Sequence, residues 1–474
     1  MRQFHTIPGK RPFTLELQSQ VRTVLNVTVV PVLRLKALIL KAWIQDKYAG
    51  TKANQCEMPP NYLSSKVQFI HDVRKGRFCL ANQSIEAGEV ILVEEPIASI
   101  VYHPEDLYCH SCAGLLLLAL PCPACPDVLF CSLKCLETSL ASHHKRECKI
   151  RLFGVLKKLA KNVDKVSFGK IIALRLITQK NFLQLEQLQP TDVDETLLPE
   201  PEFSDYDFLW SLYALKGSID HTVVDSLLNL VFNDLPDDPL TPLKEVVRRY
   251  SKIVEANSFA IEAPSLNPLQ GERLSSFWTI PIEKWQTGSA LYLKASLFNH
   301  SCDPSAAFVF FNNRIIIAAT RKIEPGEEVS ISYGPLFYYH DKEHRQLGMN
   351  SYDFKCDCEA CLGDWPDWTS ISTGLVPKSV FSSSKWKPKD LLMETGIRWP
   401  LKNPEQFILA VQAVQESEQA AKISSDLVSY RSAMKKRGQL LQVVKPPHFC
   451  HLKTRLGVTT GLWYQYWSEY QATG

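Results

Sequence analysis

The chain is 474 residues long, 45% hydrophobic and 22% charged, an ordinary globular composition with ample core whose length suits roughly two to four domains. Its formal net charge of +3 makes no case for direct nucleic-acid binding. The first residues, MRQFHTIPGKRPFTLELQ, lack the apolar stretch of a secretory signal, and the apolar run over 24–44 is broken by Pro31, Arg34, Lys36 and Lys41, so no membrane span is expected. A reducing cytoplasmic or nuclear location follows, in which the sequons at Asn26, Asn82 and Asn299 stay unglycosylated.

In chain order, residues 1–65 read as a helical segment, because after Pro31 the residues Leu35, Leu38, Ile39 and Trp43 recur at helical spacing. Over 66–108 the pattern changes to short β-type runs, VILVEEPIASIVY being the clearest. A cysteine block occupies 109–148, and its LLLLAL run reads as core-facing packing. Residues 149–255 are mostly helical in pattern, interrupted by QPTDVDETLLPEPEFSD and NDLPDDPLTP. β-type sequence returns over 256–335, where AAFVFFNNRIIIAAT predicts a hairpin turning at Asn312-Asn313. SIEAGEVI (84–91) and KIEPGEEV (322–329) echo each other as turns feeding strands, so the β domain is expected to be split around the intervening segments. A second cysteine cluster lies in 336–362, an extended connector in 363–388, and helix-like sequence in 389–474, with Phe407, Val411 and Val414 on one stripe.

Fourteen cysteines are many for this length, and they are unevenly spread. Within the first block the candidate ligands run Cys109-x2-Cys112-x9-Cys122-x2-Cys125-x5-Cys131-x3-Cys135-x8-His144-x3-Cys148. Close pairs of this kind suit tetrahedral zinc, because a short turn or one helical turn presents both ligands to one ion. Spacing favours His144 over His143. Such a block is too small to bury much surface, so two zinc ions would supply much of its stability, on the order of 10–16 kcal/mol each in small finger peptides. The order resembles the MYND zinc finger, whose interleaved scheme implies Cys109, Cys112, Cys131 and Cys135 for one ion and Cys122, Cys125, His144 and Cys148 for the other. MYND fingers are protein-interaction modules, so the resemblance implies proline-rich peptide partners and chromatin or deacetylase-type complexes.

FKCDCEAC supplies Cys356, Cys358 and Cys361, three ligands for an ion that takes four. NHSC (299–302) offers the fourth in Cys302. Read by itself, NHSC also allows a sequon, a buried thiol or a His300-Cys302 nucleophile, but no base and orienting group accompany that last reading. NHSC, the later ISY (331–333) and the cysteine-rich tail resemble the SET methyltransferase fold with its post-SET zinc site. SET with an inserted MYND finger is the signature of the SET-and-MYND lysine methyltransferases. KGRF, NHSCDP, SYGP and YDFKCDCEAC look most like the SET and MYND domain-containing protein 4 subgroup.

The resemblance covers about residues 67–361. It implies an α+β multidomain fold, with a split β-rich SET domain, an inserted MYND finger and helical insert, a post-SET zinc site and flanking helical segments. It also implies a protein-lysine methyltransferase that uses S-adenosyl-L-methionine, with a protein lysine as substrate and three zinc ions per chain. Tyr333 would be the catalytic tyrosine. Lys75, Gly76, Arg77, Asn257, Ser296, Asn299, His300, Tyr333 and Phe354 would contact the cofactor, and Tyr352 with Phe354 would wall the lysine channel. Two departures stand out. Phe78 replaces the second glycine of the usual Gly-x-Gly cofactor turn, and neither terminal segment shows complete helical repeats of the kind that flank the SET core in the family. These departures favour a rival reading, a catalytically weak SET/MYND scaffold acting as a zinc-dependent adaptor. Eleven thiolates with three zinc ions would take the formal charge from +3 to about −2.

Overall fold

A computed structural model of the protein describes residues 61–101, most of 108–154, 168–179, 205–216, 222–232, 237–264, 284–337 and 339–365, with isolated positions elsewhere. The helical reading of 1–60, most of 389–474, the connector beyond Trp365, most of QPTDVDETLLPEPEFSD and part of the LLLLAL run lie outside the described residues, whereas NDLPDDPLTP, read from sequence as an interruption, opens a helix at Asp237, with Pro239 in a first turn that needs no backbone N–H from it.

The first described strands are β1 (Tyr62–Leu63), β2 (Val67–Asp72), β3 (Gly76–Ala81), β4 (Val90–Glu94) and β5 (Ala98–Val101). Tyr62 and Leu63, assigned to a helical segment from sequence, pair instead with Val93 and Leu92. Two residues carry no periodicity of their own; they are held as strand by the open edge of β4, where Ser64 N also bonds to Ile91 O at 2.9 Å. Next come β6 (Leu120–Pro121), β7 (Leu129–Phe130), α1 (Leu133–Ala141) and α2 (His144–Lys149). Helices α3 (Phe168–Thr178), α4 (Asp205–Ser211), α5 (Thr222–Val231) and α6 (Asp237–Asn257) follow, then β8 (Ser258–Pro264), β9 (Lys284–Leu291), β10 (Ala306–Phe311), β11 (Arg314–Ala319), β12 (Glu328–Val329), α7 (Lys342–Met349) and α8 (Glu359–Leu362).

The sheets join the two β regions across everything between them. Among the described residues their orders are β1-β4-β11-β10, β12-β3-β2, β5-β9-β8 and β6-β7. The predicted hairpin forms, with Phe311 opposite Arg314 and Asn312 at φ 58° in the turn. The two echoing turns meet. Ile85 and Ile323 form an antiparallel bridge, and Gly88 and Gly326 take φ of +83° and +84°, backbone that glycine adopts without strain. Apolar side chains from both halves, among them Ile91, Leu92, Ile315 and Ile317, make one core, while α3, α5 and α6 bury a second against Ala98, Ile100 and Leu291.

At the end of β4, Glu94 is buried and accepts three backbone N–H groups, from Leu293 at 3.0 Å, Lys294 at 2.9 Å and Ala295 at 2.8 Å. Burial pushes its carboxyl up against the opposing pull of those donors. The carboxylate thereby fixes the turn that opens the short 3-10 helix Ala295–Leu297 and leads into Asn299.

The cysteine-rich segment is bound to the rest by a buried ion pair. Arg175 on α3 donates to both carboxylate oxygens of Glu147 at 2.9 and 2.7 Å, to Ser99 O on β5 at 2.5 Å, and to His110 Nε2 at 3.1 Å. Arg175 and Glu147 are each 1% exposed. His110, His143 and Glu147 cluster closely enough to suggest a metal, but Arg175 occupies both oxygens of the carboxylate and the imidazole nitrogen. Arg175→Met should destabilise the protein by about 3–5 kcal/mol in denaturant unfolding, because Glu147 would be left as an unpaired buried charge. The double variant Arg175→Met/Glu147→Leu should recover much of that loss. Additive losses would show that the pair is not coupled.

Candidate active site and sulfur clusters

Among the described residues, three groups bring their sulfur and imidazole atoms to single points: Cys109, Cys112, Cys131, Cys135; Cys122, Cys125, His144, Cys148; and Cys302, Cys356, Cys358, Cys361. Arms of about 2.3 Å to a tetrahedral ion put sulfurs roughly 3.8 Å apart. The structure gives 3.7 Å for Cys112–Cys131, 3.6 Å for Cys131–Cys135 and 3.8 Å for Cys122–Cys148. Cys302 lies 4.0 Å from Cys356 and 3.6 Å from Cys361. These donor sets fit zinc. Helix starts make the pairs: Ser132 caps α1 by accepting from Cys135 N, which fixes Cys135 over Cys131, while His144 and Cys148 stand one turn apart on α2. His144 Nε2 is the atom facing Cys125, at 3.6 Å, while His143 stands with His110 and Glu147. In the third group the hydrogen bond between Cys302 and Cys358 pushes the Cys358 thiol down, and the bond to Cys356 pushes Cys302 up.

Cys302 is the hinge between that group and Tyr333. The Tyr333 amide donates to His300 Nδ1 at 3.0 Å, which leaves the ring proton on Nε2, 3.3 Å from Cys302 Sγ. Burial holds this imidazole neutral, pushing its pKa down to about 4. Its neighbour Ser301 N donates to Ile331 O at 2.9 Å, so the 299–302 turn and the 331–333 segment run locked side by side. The Tyr333 hydroxyl donates to Phe298 O at 2.9 Å, and burial pushes the phenol pKa up, so the group stays protonated. Around it stand Tyr352 with ring centroid at 5.0 Å, His300 at 5.4 Å and Phe354 at 6.4 Å.

A cleft of about 450 Å³ opens beside Tyr333 and Tyr352, lined also by Asn257, Phe259, Ser296 and Phe308. Asn257 and Ser296 therefore share a wall with Tyr333, but their donors are committed inward. Asn257 Nδ2 donates to Ile253 O and Tyr213 O, and Ser296 Oγ to Tyr292 O. Lys75, Gly76, Arg77, Asn299, His300 and Phe354 do not line this cleft; His300 and Phe354 reach it through the Tyr333 ring.

The first turn, closed by Asp72 Oδ1 accepting from Arg74 N and Lys75 N, presents Gly76 at φ +68° with open space where a Cβ would stand. Phe78 is 7% exposed on the face of β3 opposite Cys79, with Lys75 Nζ 5.3 Å from its ring centroid. The Arg77 guanidinium is spent on Ser211 Oγ and Ser211 O, both at 2.9 Å. Sequence reading missed three residues that bind these pieces together. Glu328 accepts from Lys75 Nζ at 2.7 Å and from Asn299 Nδ2 at 3.1 Å. Asp353, in left-handed backbone at φ 59°, accepts from Tyr213 OH and Lys216 N, pinning the Tyr352–Phe354 segment to the loop after α4. Glu94 sets the turn before Ser296. A second acidic residue in GEEV, off the motif, was the only trace of Glu328 in the sequence.

Comparison with known proteins agrees with this arrangement. The sequence profile of the family described as "SET domain" matches residues 76–334, more than half of the chain. The "Histone-lysine N-methyltransferase SMYD3" of Homo sapiens is 24% identical over 343 residues, 69% of this chain and 71% of that protein. The "Protein-lysine N-methyltransferase SMYD4" of Pongo abelii is 24% identical over 381 residues, 63% of this chain but 46% of that protein, so the chain spans less than half of it. The "Histone-lysine N-methyltransferase ASHR2" of Arabidopsis thaliana is 25% identical over 309 residues, 60% and 69% of the two chains. A crystal structure of the SET domain of LSMT bound to lysine and AdoHcy overlaps 92% of this chain at 11% identity, and its TM-score of 0.24 adds nothing further. With the split sheet, the 299–302 turn and the profile in accord, this chain belongs to the SET domain family.

Proposed function

We propose that the protein is an S-adenosyl-L-methionine-dependent protein-lysine N-methyltransferase, acting on a lysine of a histone or non-histone protein. The observation that carries this reading is Tyr333, fixed by His300 and the Phe298 carbonyl beside an aromatic cleft. When bound, the cofactor supplies a methyl group on a sulfonium, open to in-line attack by an amine. The task left to the chain is to align the amine, exclude water and favour its neutral form. Lysine in water is neutral only about once in a few thousand molecules at pH 7. Desolvation among Tyr333, Tyr352, Phe259 and Phe308 disfavours the ammonium and lowers that barrier. The raised pKa of Tyr333 suits an orienting hydroxyl rather than a base.

In this reading the Lys75–Gly76–Arg77 turn, Asn257, Ser296, Asn299, His300, Tyr333 and Phe354 hold the cofactor, and Tyr352 with Phe354 walls the lysine path. Three zinc ions take the three ligand groups. Residues 109–148 act as a MYND-type finger for proline-rich peptides, with chromatin or deacetylase-type complexes as its setting in cytoplasm and nucleus. The KGRF, NHSCDP, SYGP and YDFKCDCEAC motifs support a likeness to the SET and MYND domain-containing protein 4 subgroup.

Label transfer from S-adenosylmethionine to a cell extract, with purified zinc-loaded protein, should mark protein lysines. Tyr333→Phe should reduce transfer about 100-fold or more while zinc is kept. A zinc-loaded sample that neither binds the cofactor nor transfers label would leave the scaffold reading in its place. Metal analysis should find about three zinc per chain. Cys302→Ser should lower that to about two and weaken cofactor binding as well, since His300 loses its sulfur partner; unchanged cofactor binding would break that link.

A further inference from the structure

Between α7 and the cysteines of the tail, residues 350–355 form a strip that is fixed at both ends. Met349 on one side is fully buried, and Cys356 on the other is 5% exposed. Within the strip only Tyr352 is half-buried, while Asn350, Ser351, Asp353, Phe354 and Lys355 are exposed. A metal at Cys356 would hold that cysteine without deciding how Tyr352 and Phe354 stand against Tyr333.

Among the described residues, three hydrogen bonds tie the strip to elements outside α7 and the tail. Tyr352 OH donates to Tyr333 O at 3.4 Å, which is long for such a bond. The other two end on a single atom, Asp353 Oδ2, which accepts from Tyr213 OH at 3.1 Å and from Lys216 N at 3.4 Å. Asp353 takes left-handed backbone, φ 59° and ψ 26°. The rings on either side of it, Tyr352 and Phe354, lie 5.0 and 6.4 Å from the Tyr333 ring, while its carboxylate meets the loop after α4. That loop is a firm anchor. Leu209 and Leu212 are buried, Arg77 donates to Ser211 Oγ and O, and Asn257 Nδ2 donates to Tyr213 O at 2.8 Å. Residues 211–216 therefore hold the Gly76 turn, the Asn257 wall of the cleft and the strip at once. Two exposed hydrogen bonds add little to global stability, so their effect is local, on a strip with few other contacts.

We propose that Asp353 is a positioning residue for methyl transfer. Its carboxylate, seated on Tyr213 and Lys216, sets Tyr352 and Phe354 against Tyr333 and so shapes the lysine path, separately from whatever fixes Cys356. This rests on the reading of the cleft as a lysine methyltransferase site. It makes the loop after α4, which lies outside the NHSC, ISY and cysteine motifs, part of the reaction's architecture.

The test uses two variants of the zinc-loaded full chain. Asp353→Gly removes the carboxylate while glycine accepts the left-handed backbone, and Tyr213→Phe removes one donor without touching the strip. Amide hydrogen exchange over 350–355 should rise about tenfold in Asp353→Gly and by less in Tyr213→Phe, with zinc content and exchange over 356–362 unchanged. Label transfer from S-adenosylmethionine to cell-extract proteins should fall about tenfold at saturating extract, with the half-saturating concentration less affected. Asp353→Asn, which keeps an acceptor oxygen and tolerates the same backbone, should restore most of the rate. The double variant should be no slower than Asp353→Gly alone, since both changes remove one shared contact. Unchanged exchange over 350–355 in Asp353→Gly, faster exchange with no loss of rate, or additive losses in the double variant each overturn the inference and leave the proposed function standing. A zinc-loaded wild type that neither binds S-adenosylhomocysteine nor transfers label overturns both. If Asp353→Gly does not retain zinc, Tyr213→Phe carries the comparison, and an unchanged rate there counts against the proposal.

Discussion

The convergence of Cys302 with Cys356, Cys358 and Cys361 is the constraint on which the rest of the site depends. The first two of these cysteines are 54 residues apart in the chain, and their sulfurs stand 4.0 Å apart. No local element would hold them there. A tetrahedral ion with four thiolate arms would supply the missing attraction, and in doing so would bring the tail onto the 299–302 turn. Tyr352 and Phe354 arrive with the tail, and Tyr333 gains its aromatic surroundings. Arg345 reinforces the arrangement from behind, fully buried and donating to the carbonyl oxygens of His340, Ala360 and Trp365. A tetrathiolate zinc there would carry a net negative charge, a counter-charge for a guanidinium whose hydrogen-bond partners among the described residues are carbonyl oxygens.

The buried pair of Arg175 and Glu147 plays the same part for the other two sulfur groups. Glu147 lies between two ligand positions on α2, and His110 lies between Cys109 and Cys112. One guanidinium therefore touches both halves of the interleaved finger while standing on a helix of the insert and reaching a carbonyl of β5. The cysteine-rich segment fixed in this way is part of the body of the protein rather than a loosely tethered module.

Cysteine spacing is a strong signal because a metal site demands particular residues at particular separations. Spacing marked the close pairs and favoured His144 over His143, the family resemblance implied how the pairs group, and the structure brings those side chains together. The hairpin at Asn312-Asn313 and the paired glycine turns were legible for a similar reason: φ above zero restricts the residue choice. Tyr333 and NHSC were legible through family motifs. Glu328, Asp353 and Glu94 were not, since a carboxylate that accepts backbone or side-chain donors looks like any other acidic residue until the chain has folded. Nor could spacing show that Arg77 would spend its guanidinium on α4, or that Phe78 would be covered by Lys75. Strand β1 was lost for want of length: two residues become strand only because β4 has an edge to cover.

The split sheet also bears on how the chain is made. Glu94 and Ala295, which it anchors, are 201 residues apart, and β4 cannot pair with β11 until residues beyond 314 have left the ribosome. At about 5–20 residues per second, that interval is on the order of ten seconds or more. For its duration β4 carries Ile91, Leu92 and Val93 with only the two-residue β1 on one side and its other edge open, an apolar edge of the kind that recruits chaperones or other nascent chains. The candidate finger ligands at 109–148 emerge early in the same interval, well before the strands that complete the sheet around them. Vectorial synthesis therefore makes that segment available for assembly before the sheet that surrounds it in sequence.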